Sequence, residues 1–309
     1  MGIEHAVMDQ RADGLWALVL AGGDGRRLQD LTRRIAGAPI PKQYCRIVGD
    51  RSLLEATLTR IAPLVTRERT LAIVNREHLA LATPQLRTVP GWNVIVQPQN
   101  RETGPGMLLS LLVLARRRPD ATVAVFPSDH HIGDERKFRA HVAHMARLVD
   151  AHPDRIALLG VEPERPESGY GYIRRGAAVA PDAFDVLSFH EKPTPALATR
   201  LSRHGALWNS FVMVFRVARM LELLRDARPG ICARLAALLD DPAQLASAYP
   251  TIARWNFSRD SLARIPEQLM VVRAPGIGWS DWGTPEAIER TLAATGSQPS
   301  RQLPLRATA

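Results

Sequence analysis

The stretch LWALVLAGGDGRRL, residues 15–28, decides the fold that we expect for this chain. Its first part, Leu15 to Leu20, is a short apolar run that ends at Gly22-Gly23, which predicts a buried strand followed by a tight turn. Glycines in such a turn let backbone N–H groups approach phosphate oxygens, and the arginines that follow can neutralise phosphate charge. The turn has no Walker A Gly-Lys-Ser/Thr, and Leu28 stands where a dinucleotide fingerprint has its third glycine. Taken alone it is a weak signal, because a plain strand-to-helix turn has the same composition.

Similar apolar runs recur in the first half of the chain, and helical patterns separate several of them. Ser52 and Glu55 form a capping box that opens one helix, and apolar residues from Phe138 onward fall on one face of another. Strands that alternate with helices predict an α/β, Rossmann-like fold with a mixed, mostly parallel sheet, helices on both faces and ligands at the carboxyl ends of the strands. The further interior strands are predicted at 70–74, 94–96, 122–126 and 156–160.

The second half of the chain follows a different pattern, with short strands, Pro-rich connections and one helical stretch from Val217 to about Leu239. We interpret it as an elaboration on the same sheet. Its strands are predicted at 172–174, 184–189 and 211–215. We expect a flexible tail over residues 1–13, one folded domain over 14–294 and a disordered tail over 295–309.

Composition excludes several classes of protein. No apolar run reaches the roughly 18 to 20 residues that span a bilayer, and the first 13 residues lack an apolar signal core, so we expect a cytoplasmic protein with no membrane partner. Cys45 and Cys232 are too few for a disulfide framework, which suits a reducing compartment. The net charge of +9 comes from arginines spread along the whole chain, which argues against a nucleic-acid partner.

Only three lysines occur in this arginine-rich sequence: Lys42, Lys137 and Lys192. An ammonium group offers a compact point charge where arginine offers a broad planar fork, so each lysine marks a place where a compact charge has a use. Lys137, in a polar stretch, is assigned to the surface. Lys42 lies between a rigid proline and Gln43, close enough in sequence to fold over the Gly-rich turn.

At this point the pattern becomes specific. The Gly-rich turn followed by Pro41-Lys42-Gln43 resembles the paired signature GGxGxRL and PKQ of the sugar-phosphate nucleotidylyltransferases, and PKQ followed by Tyr44 is similar to the mannose-1-phosphate guanylyltransferase branch. Further segments continue the resemblance, in order, to about Ile288. They are residues 100–105 beside the base, 127–130 at a strand end, the sugar-phosphate segments 169–173, 191–193 and 208–210, and the G-W-x-D-x-G element at 278–283.

The resemblance implies a nucleotide-diphospho-sugar transferase fold and an enzyme that joins GTP and mannose 1-phosphate to give GDP-mannose and pyrophosphate. It implies that Arg27, Lys42 and Asp129 are catalytic, and that Asp129 and Asp281 hold Mg²⁺. Nucleotidyl transfer needs charge neutralisation and positioning, which agrees with this set of cations and carboxylates. The implied nucleotide contacts are Leu20, Ala21, Gly22, Gly23, Gly25, Arg26, Arg101, Thr103, Gly104 and Ser128. The implied sugar-phosphate contacts, in the elaborated second half, are Gly171, Glu191, Lys192 and Asn209.

Several alternatives stay open. Arg26 stands where the family usually has Thr or Ser and could strengthen triphosphate binding, and Phe211 stands where it usually has Gly and could alter the choice of hexose. Base selection depends on backbone geometry, so UTP or dTTP with glucose 1-phosphate is an alternative pair of substrates. A non-catalytic nucleotide-sugar sensor is a rival of a different class, although it would not need all the charged residues. Asp129-His130-His131 also resembles the DHH element of a phosphoesterase family, but no DxD set completes such a site. A homodimer stays open, but not one made through the C-terminal module of many relatives, for which we see no room after Trp282.

Overall fold

A computed structural model describes residues 14–296 of the 309-residue chain. Its centre is one mixed sheet, to which nine strands in the described range belong. The strands are β1 Leu15–Ala21, β2 Thr70–Asn75, β3 Val94–Gln97, β4 Thr122–Pro127, β5 Ile156–Val161, β6 Tyr172–Ala180, β7 Ala183–His190, β8 Leu207–Arg216 and β9 Leu269–Arg273.

The strands lie in the order β3-β2-β1-β4-β8-β5-β9-β7-β6. Strands β1 to β4 are parallel, β8 lies antiparallel between β4 and β5, and β9 is parallel to β5. The β6–β7 hairpin closes the far side, where β7 is antiparallel to β9. All strands of the described sheet except β7 and β8 therefore run in one direction, which confirms the predicted mixed, mostly parallel sheet.

Helices cover both faces of this sheet, as predicted. Successive residues of β1 alternate between the faces. Ala17 and Val19 pack into a core with Val142 of the helix predicted from Phe138, whereas Leu18 packs into a second core with Met107. The α-helices are α1 Gln29–Ala36, α2 Leu53–Ile61, α3 Leu79–Ala82, α4 Thr103–Arg117, α5 Glu135–Ala151, α6 Pro195–Arg203, α7 Val217–Ala227, α8 Pro229–Leu238, α9 Pro242–Ala248, α10 Phe257–Asp260 and α11 Pro285–Thr295.

Two local predictions show how far pattern determines structure. The capping box is confirmed: Ser52 Oγ accepts from Glu55 N at 3.1 Å, and Ser52 N donates to Glu55 Oε2 at 2.8 Å. The prediction of one helical stretch from Val217 to about Leu239 is wrong, because the helix is interrupted at Arg228 (φ −148°), between α7 and α8. Pro229 disfavours helical geometry in the residue before it and is itself suited to the first turn of a new helix.

The ends of the described range touch two further expectations. The predicted tail over residues 1–13 and all but the start of the tail over 295–309 lie outside the described residues. Helix α11 reaches Thr295 and ends at Gly296, whose φ of 64° is a left-handed C-cap. Between residues 14 and 296, no helix is both long and apolar enough to cross a membrane.

Candidate active site

A cleft of about 420 Å³ opens where the strands β1 and β4 end, and residues from both halves of the chain line it. This is the position expected of a ligand site in an α/β sheet. A larger cavity, about 1180 Å³, lies at the opposite ends of the same strands and contains none of the predicted site residues of the described chain. The predicted residues that line the cleft are Leu20, Gly22, Gly23, Arg27, Thr103, Ser128, Asp129, Gly171, Glu191, Lys192, Asn209 and Asp281.

The Gly-rich loop is held from below by the segment around Lys42. Gln43 Nε2 donates to the carbonyl oxygens of Ala21 at 3.2 Å and Gly23 at 2.7 Å, and the Tyr44 hydroxyl donates to Ala21 O at 2.7 Å. Gly25 has φ 62°, and a Cβ there would lie 2.9 Å from Pro41 Cα. The loop carbonyls are thus bound to side chains beneath it, which leaves the glycine surface of the loop facing the cleft.

Polar side chains at the ends of β2 and β3 support the same loop, and sequence reasoning missed them. Asn75 Nδ2 donates to Gly22 O at 2.9 Å. A Cβ on Gly22 would lie 2.5 Å from Gln97 Nε2, so the Gln97 amide fills the space beside that glycine. Both are the last residues of otherwise apolar strands and are almost fully buried. A polar residue at the carboxyl end of a buried strand is the signal that could have found them.

The remaining predicted nucleotide residues occupy different environments. Arg27 lines the cleft, but the Arg26 side chain is 82% exposed and pairs only loosely with Asp24, at 3.6 Å. Arg101 is turned away from the cleft, and its Nε donates to Ile252 O at 2.8 Å.

Thr103 and Gly104 anchor a distant segment to the nucleotide half. Thr103 Oγ1 accepts from Phe257 N at 2.9 Å, and Gly104 N donates to Trp255 O at 3.1 Å. A side chain at Gly104 would collide with the Trp255 ring at 2.0 Å. The segment over 255–258 therefore forms one wall of the cleft, and it is a wall that the sequence analysis did not anticipate.

Lys42 lies at the junction between the two halves. Its Nζ is 3.3 Å from Asp129 Oδ2, and it donates to Trp282 O at 3.1 Å and to the backbone oxygen of Asp281. The side chain is only 7% exposed, and it is not among the described residues that line the cleft. Burial opposes the ionisation of Asp129, but the Lys42 ammonium, His130 and hydrogen bonds together outweigh it, and the pKa of Asp129 is lowered.

Asp281 is held by Tyr170 and by its own loop. Its Oδ1 accepts from the Tyr170 hydroxyl at 2.8 Å and from Gly283 N at 2.8 Å. Tyr170 is in turn fixed by edge contacts with the rings of Trp208 and Trp279. Lys42 and Tyr170 thus bring both predicted metal ligands to the same place, although they are far apart in sequence.

The donor set at this junction suits Mg²⁺ rather than a metal held by protein alone. Within residues 14–296, no group of three or more His, Cys, Asp or Glu side chains is placed to hold a metal ion. Asp129 and Asp281 supply two carboxylates facing the cleft. Mg²⁺ binds proteins through one or two carboxylates and takes its other ligands from phosphate oxygens and water, so these residues fit it.

The two histidines after Asp129 pack against the tryptophans of the 278–283 loop, and His130 also lines the cleft with its Nε2 3.7 Å from Asp129 Oδ1. His131 stacks on Trp282 at 4.9 Å between ring centroids, and burial lowers its pKa to about 4. His130 Nδ1 lies 3.2 Å from Trp279 Nε1. Backbone hydrogen bonds between His131 and Ser280 complete the attachment of the 278–283 loop to the end of β4. The Asp-His-His element therefore helps to hold the loop that contains Asp281 in place.

The predicted sugar-phosphate residues converge through backbone hydrogen bonds. Asn209 N donates to Gly171 O at 2.8 Å, and Lys192 N donates to Tyr170 O at 3.2 Å. A Cβ on Gly171 would lie 2.8 Å from Glu191 Oε2, so a larger residue there would displace the Glu191 carboxylate. Burial raises the pKa of Glu191, although Lys192 and Arg259 oppose the shift.

Strained backbone is concentrated at this cleft. Five described residues other than glycine have positive φ, and three of them, Glu102 (67°), Lys192 (47°) and Phe211 (61°), line it. A fourth, Trp282 (46°), follows Asp281 directly. Left-handed conformations of bulky residues are costly and persist where the surrounding structure imposes them, most often at functional sites.

Fold and cleft are those of a nucleotidyl transferase, and comparison with known proteins agrees. The family model described as nucleotidyl transferase matches residues 16–298, and the chain belongs to this family. The mannose-1-phosphate guanylyltransferase of Escherichia coli K12 is 32% identical over 87% of this chain and 58% of its own length. The ManC guanylyltransferase of Salmonella typhimurium LT2 is 37% identical over 73% of this chain and 48% of its own length.

A solved structure shows the same architecture. The Thermus thermophilus protein described as a mannose-1-phosphate geranyltransferase superposes with a TM-score of 0.80 at 34% identity, covering 91% of this chain and 79% of that one. The chain spans about half the length of the curated relatives it matches.

Proposed function

We propose that this chain joins GTP and mannose 1-phosphate to give GDP-mannose and pyrophosphate. One observation carries the proposal: the Gly-rich loop and the sugar-phosphate segments open into a single cleft, with Asp129 and Asp281 between them. The names of the relatives from Escherichia coli and Salmonella typhimurium support the choice of mannose 1-phosphate and of a guanylyl donor.

The nucleotide half binds the triphosphate. Backbone N–H groups of the loop at Gly22 and Gly23 approach the phosphate oxygens, and Arg27 neutralises the charge that develops on the leaving pyrophosphate. The hydrogen bonds from Gln43 and Tyr44 hold the loop in this shape before the ligand arrives. The loop therefore needs little reorganisation during the reaction.

We assign Lys42 to the α-phosphate, which its ammonium would reach from beside Asp129 by giving up one of its present partners. Its ammonium lies against Asp129 and two backbone oxygens, and it is buried among them. We expect it to stabilise the negative charge of the α-phosphate and, at the same time, to keep Asp129 ionised. The first effect favours transfer because the reaction gathers negative charge on phosphate oxygens, and the second because an ionised Asp129 would hold Mg²⁺ beside them.

The sugar half orients the second substrate. Lys192 binds the phosphate of the sugar, and Glu191 and Asn209 form hydrogen bonds with hydroxyl groups of the ring. Gly171 lets the sugar approach the backbone, because a side chain there would meet Glu191. An oxygen of the sugar phosphate then attacks the α-phosphorus of GTP while the bond from that phosphorus to the pyrophosphate breaks. No covalent enzyme intermediate forms.

Asp129 and Asp281 would hold Mg²⁺, the cofactor that we propose. Bound there, the ion would neutralise phosphate charge and orient the two phosphates relative to each other. A cytoplasmic location and a homodimer also stay predictions. Cys45 and Cys232 are free and buried, which is consistent with the reducing conditions of the cytoplasm.

Pyrophosphate release with magnesium, measured across four nucleoside triphosphates and several hexose 1-phosphates, tests the proposal. We expect the highest kcat/KM for GTP with mannose 1-phosphate. A maximum at UTP or dTTP with glucose 1-phosphate would correct the substrates but keep the reaction. Binding of nucleotide sugars without turnover on any pair would instead identify a non-catalytic sensor.

A further inference from the structure

Phe211 interrupts strand β8 beside the sugar-phosphate residues. Its φ is 61°, a left-handed conformation that glycine adopts readily and phenylalanine rarely does. The register of β8 against β5 shifts here: Leu158 pairs with Met213, whereas Gly160 pairs with Asn209. Strand β8 therefore contains two more residues than β5 over this interval, and Phe211 lies in the bulge that results.

Specific hydrogen bonds hold the bulge. Phe211 N donates to Asn209 Oδ1 at 3.1 Å, and Ser210 Oγ donates to Leu159 O at 2.7 Å while it accepts from Val212 N at 3.2 Å. Ser210 is fully buried, whereas Asn209 and Phe211 both line the cleft. The bulge thus places the Phe211 ring in the same wall as a predicted sugar contact.

The ring of Phe211 is backed by a second ring. It packs edge to face against Phe257, with the ring centroids 6.3 Å apart. Phe257 is fully buried, and its backbone N–H is bound to Thr103 in the nucleotide half. The pair of rings therefore spans from the sugar strand to the nucleotide segment, and its position is fixed at both ends.

The conformation alone does not call for a phenylalanine. Glycine would satisfy the same φ without strain, so the side chain is present in spite of the backbone and not because of it. The Phe257 contact shows that the ring has a defined position, and that position is at the cleft surface. What the ring can do there is occupy volume and offer an apolar face to the C–H groups of a sugar.

We propose that Phe211 is a specificity-determining residue, which closes the sugar end of the cleft to hexose 1-phosphates that carry a bulky substituent and admits those with hydroxyl groups only. The inference rests on the proposed function, because it needs a sugar 1-phosphate as substrate. Phe257 acts as the support that keeps the ring from moving aside.

The test compares wild type, Phe211→Gly and Phe211→Ala. The substrates are GTP with mannose 1-phosphate and with derivatives that carry one acetamido or O-methyl group at C2, C3, C4 or C6. We take the ratio of kcat/KM for each derivative to kcat/KM for mannose 1-phosphate. For at least one derivative, we expect this ratio to be tenfold or more higher in both variants than in the wild type. The KM for mannose 1-phosphate should rise severalfold, because the apolar face is lost, and the KM for GTP should change less than twofold.

Controls separate the ring from general disturbance. Phe184→Ala removes a phenylalanine ring that lies outside the cleft, beneath the guanidinium of Arg175 at 5.1 Å, and should leave the ratio of the substrates unchanged. If both Phe211 variants fail to fold, Phe257→Leu weakens the same wall from behind and should relax selectivity in the same direction.

Two results overturn the inference in distinguishable ways. Folded Phe211 variants that keep the wild-type ratio for every derivative would show that the ring does not select the sugar, with the proposed function intact. A wild-type protein that turns over no sugar 1-phosphate at all would remove the proposed function, and this inference with it.

Discussion

The two sides of the cleft, the Gly-rich loop at residues 22–27 and the predicted sugar-phosphate segments around Lys192 and Phe211, differ in which residues adopt left-handed backbone conformations. In the nucleotide half, the left-handed position of the loop is occupied by Gly25, and the loop presents backbone. In the sugar half, Lys192 and Phe211 adopt left-handed conformations although both carry long or bulky side chains. A triphosphate needs N–H groups close to its oxygens, whereas a sugar needs side chains that distinguish its substituents. Glu102 (φ 67°), in the segment predicted beside the base, is strained as well, so the contrast is between the Gly-rich loop and the other segments that line the cleft.

The junction between the halves should be the most sensitive place. We expect Asp129→Asn and Asp281→Asn each to lower kcat by about 10³-fold, because each removes a carboxylate at the point where both phosphates meet. Steady-state pyrophosphate release measures this loss, and Mn²⁺ binding followed by electron paramagnetic resonance should weaken in parallel.

Asp150→Asn is the matched control for these two variants. Asp150 is an exposed carboxylate that pairs with Arg216 at 3.3 Å, beside the cavity at the opposite ends of the strands. Its loss should leave turnover and Mn²⁺ binding unchanged. Wild-type rates in Asp129→Asn or Asp281→Asn would separate that carboxylate from the metal and from the reaction.

Arg26 and Arg27, two neighbouring arginines, test which side chain of the Gly-rich loop acts on GTP. We expect Arg27→Ala to lower kcat/KM for GTP by about 100-fold, because Arg27 lines the cleft and, in the proposed function, neutralises the charge of the leaving pyrophosphate. Arg26→Ala should change it less than about threefold, because that side chain is largely exposed and its pair with Asp24 is long. Equal losses in the two variants would show that Arg26 also turns into the cleft when GTP binds.

Tyr170 connects the sugar half to the predicted metal ligand. We expect Tyr170→Phe to weaken Mn²⁺ binding by about tenfold, because Asp281 loses the hydroxyl that orients its carboxylate. Tyr172→Phe is the control, since the Tyr172 hydroxyl accepts from Glu167 N and is not the hydroxyl that donates to Asp281. Unchanged Mn²⁺ affinity in Tyr170→Phe would limit this hydroxyl to a packing role.

The smallest effect is expected within the loop itself. Gly25→Ala should lower the free energy of unfolding by about 1 to 2 kcal/mol and raise the KM for GTP about threefold, because alanine is strained at φ 62° and its Cβ meets Pro41. Gly23→Ala has open space for its methyl group and should leave stability unchanged. Thermal unfolding compares the two; equal melting temperatures would contradict the role given to Gly25.

Much of the fold could be predicted from sequence because its signals are local. The apolar run of β1, the capping box at Ser52 and the alternation of strands and helices each depend on neighbouring residues. The interruption between α7 and α8 also has a local signal, namely Pro229, but the helical spacing of apolar residues continues across it and favours a single helix. Strands β6 and β8 extend beyond their predictions, and β8 contains a bulge that interrupts its strand pattern.

The site was only partly predictable because its decisive contacts join distant parts of the chain. Motif resemblance drew attention to Lys42, Asp129 and Asp281, but the burial of Lys42 between the other two depends on the folded position of the 278–283 loop. The hydrogen bond from the Tyr170 hydroxyl to Asp281 likewise joins residues that are far apart in sequence. No local pattern reports such a pairing, and a single sequence contains no other record of it.

The stereochemical course at the α-phosphorus tests the central claim most directly, namely that one cleft holds both substrates for direct transfer. GTP that carries sulfur at the α-phosphorus in a single configuration would be converted with mannose 1-phosphate, and ³¹P NMR would assign the configuration of the nucleotide-sugar product. A single in-line displacement predicts inversion. Retention would require two displacements through a covalent enzyme intermediate and would contradict the account.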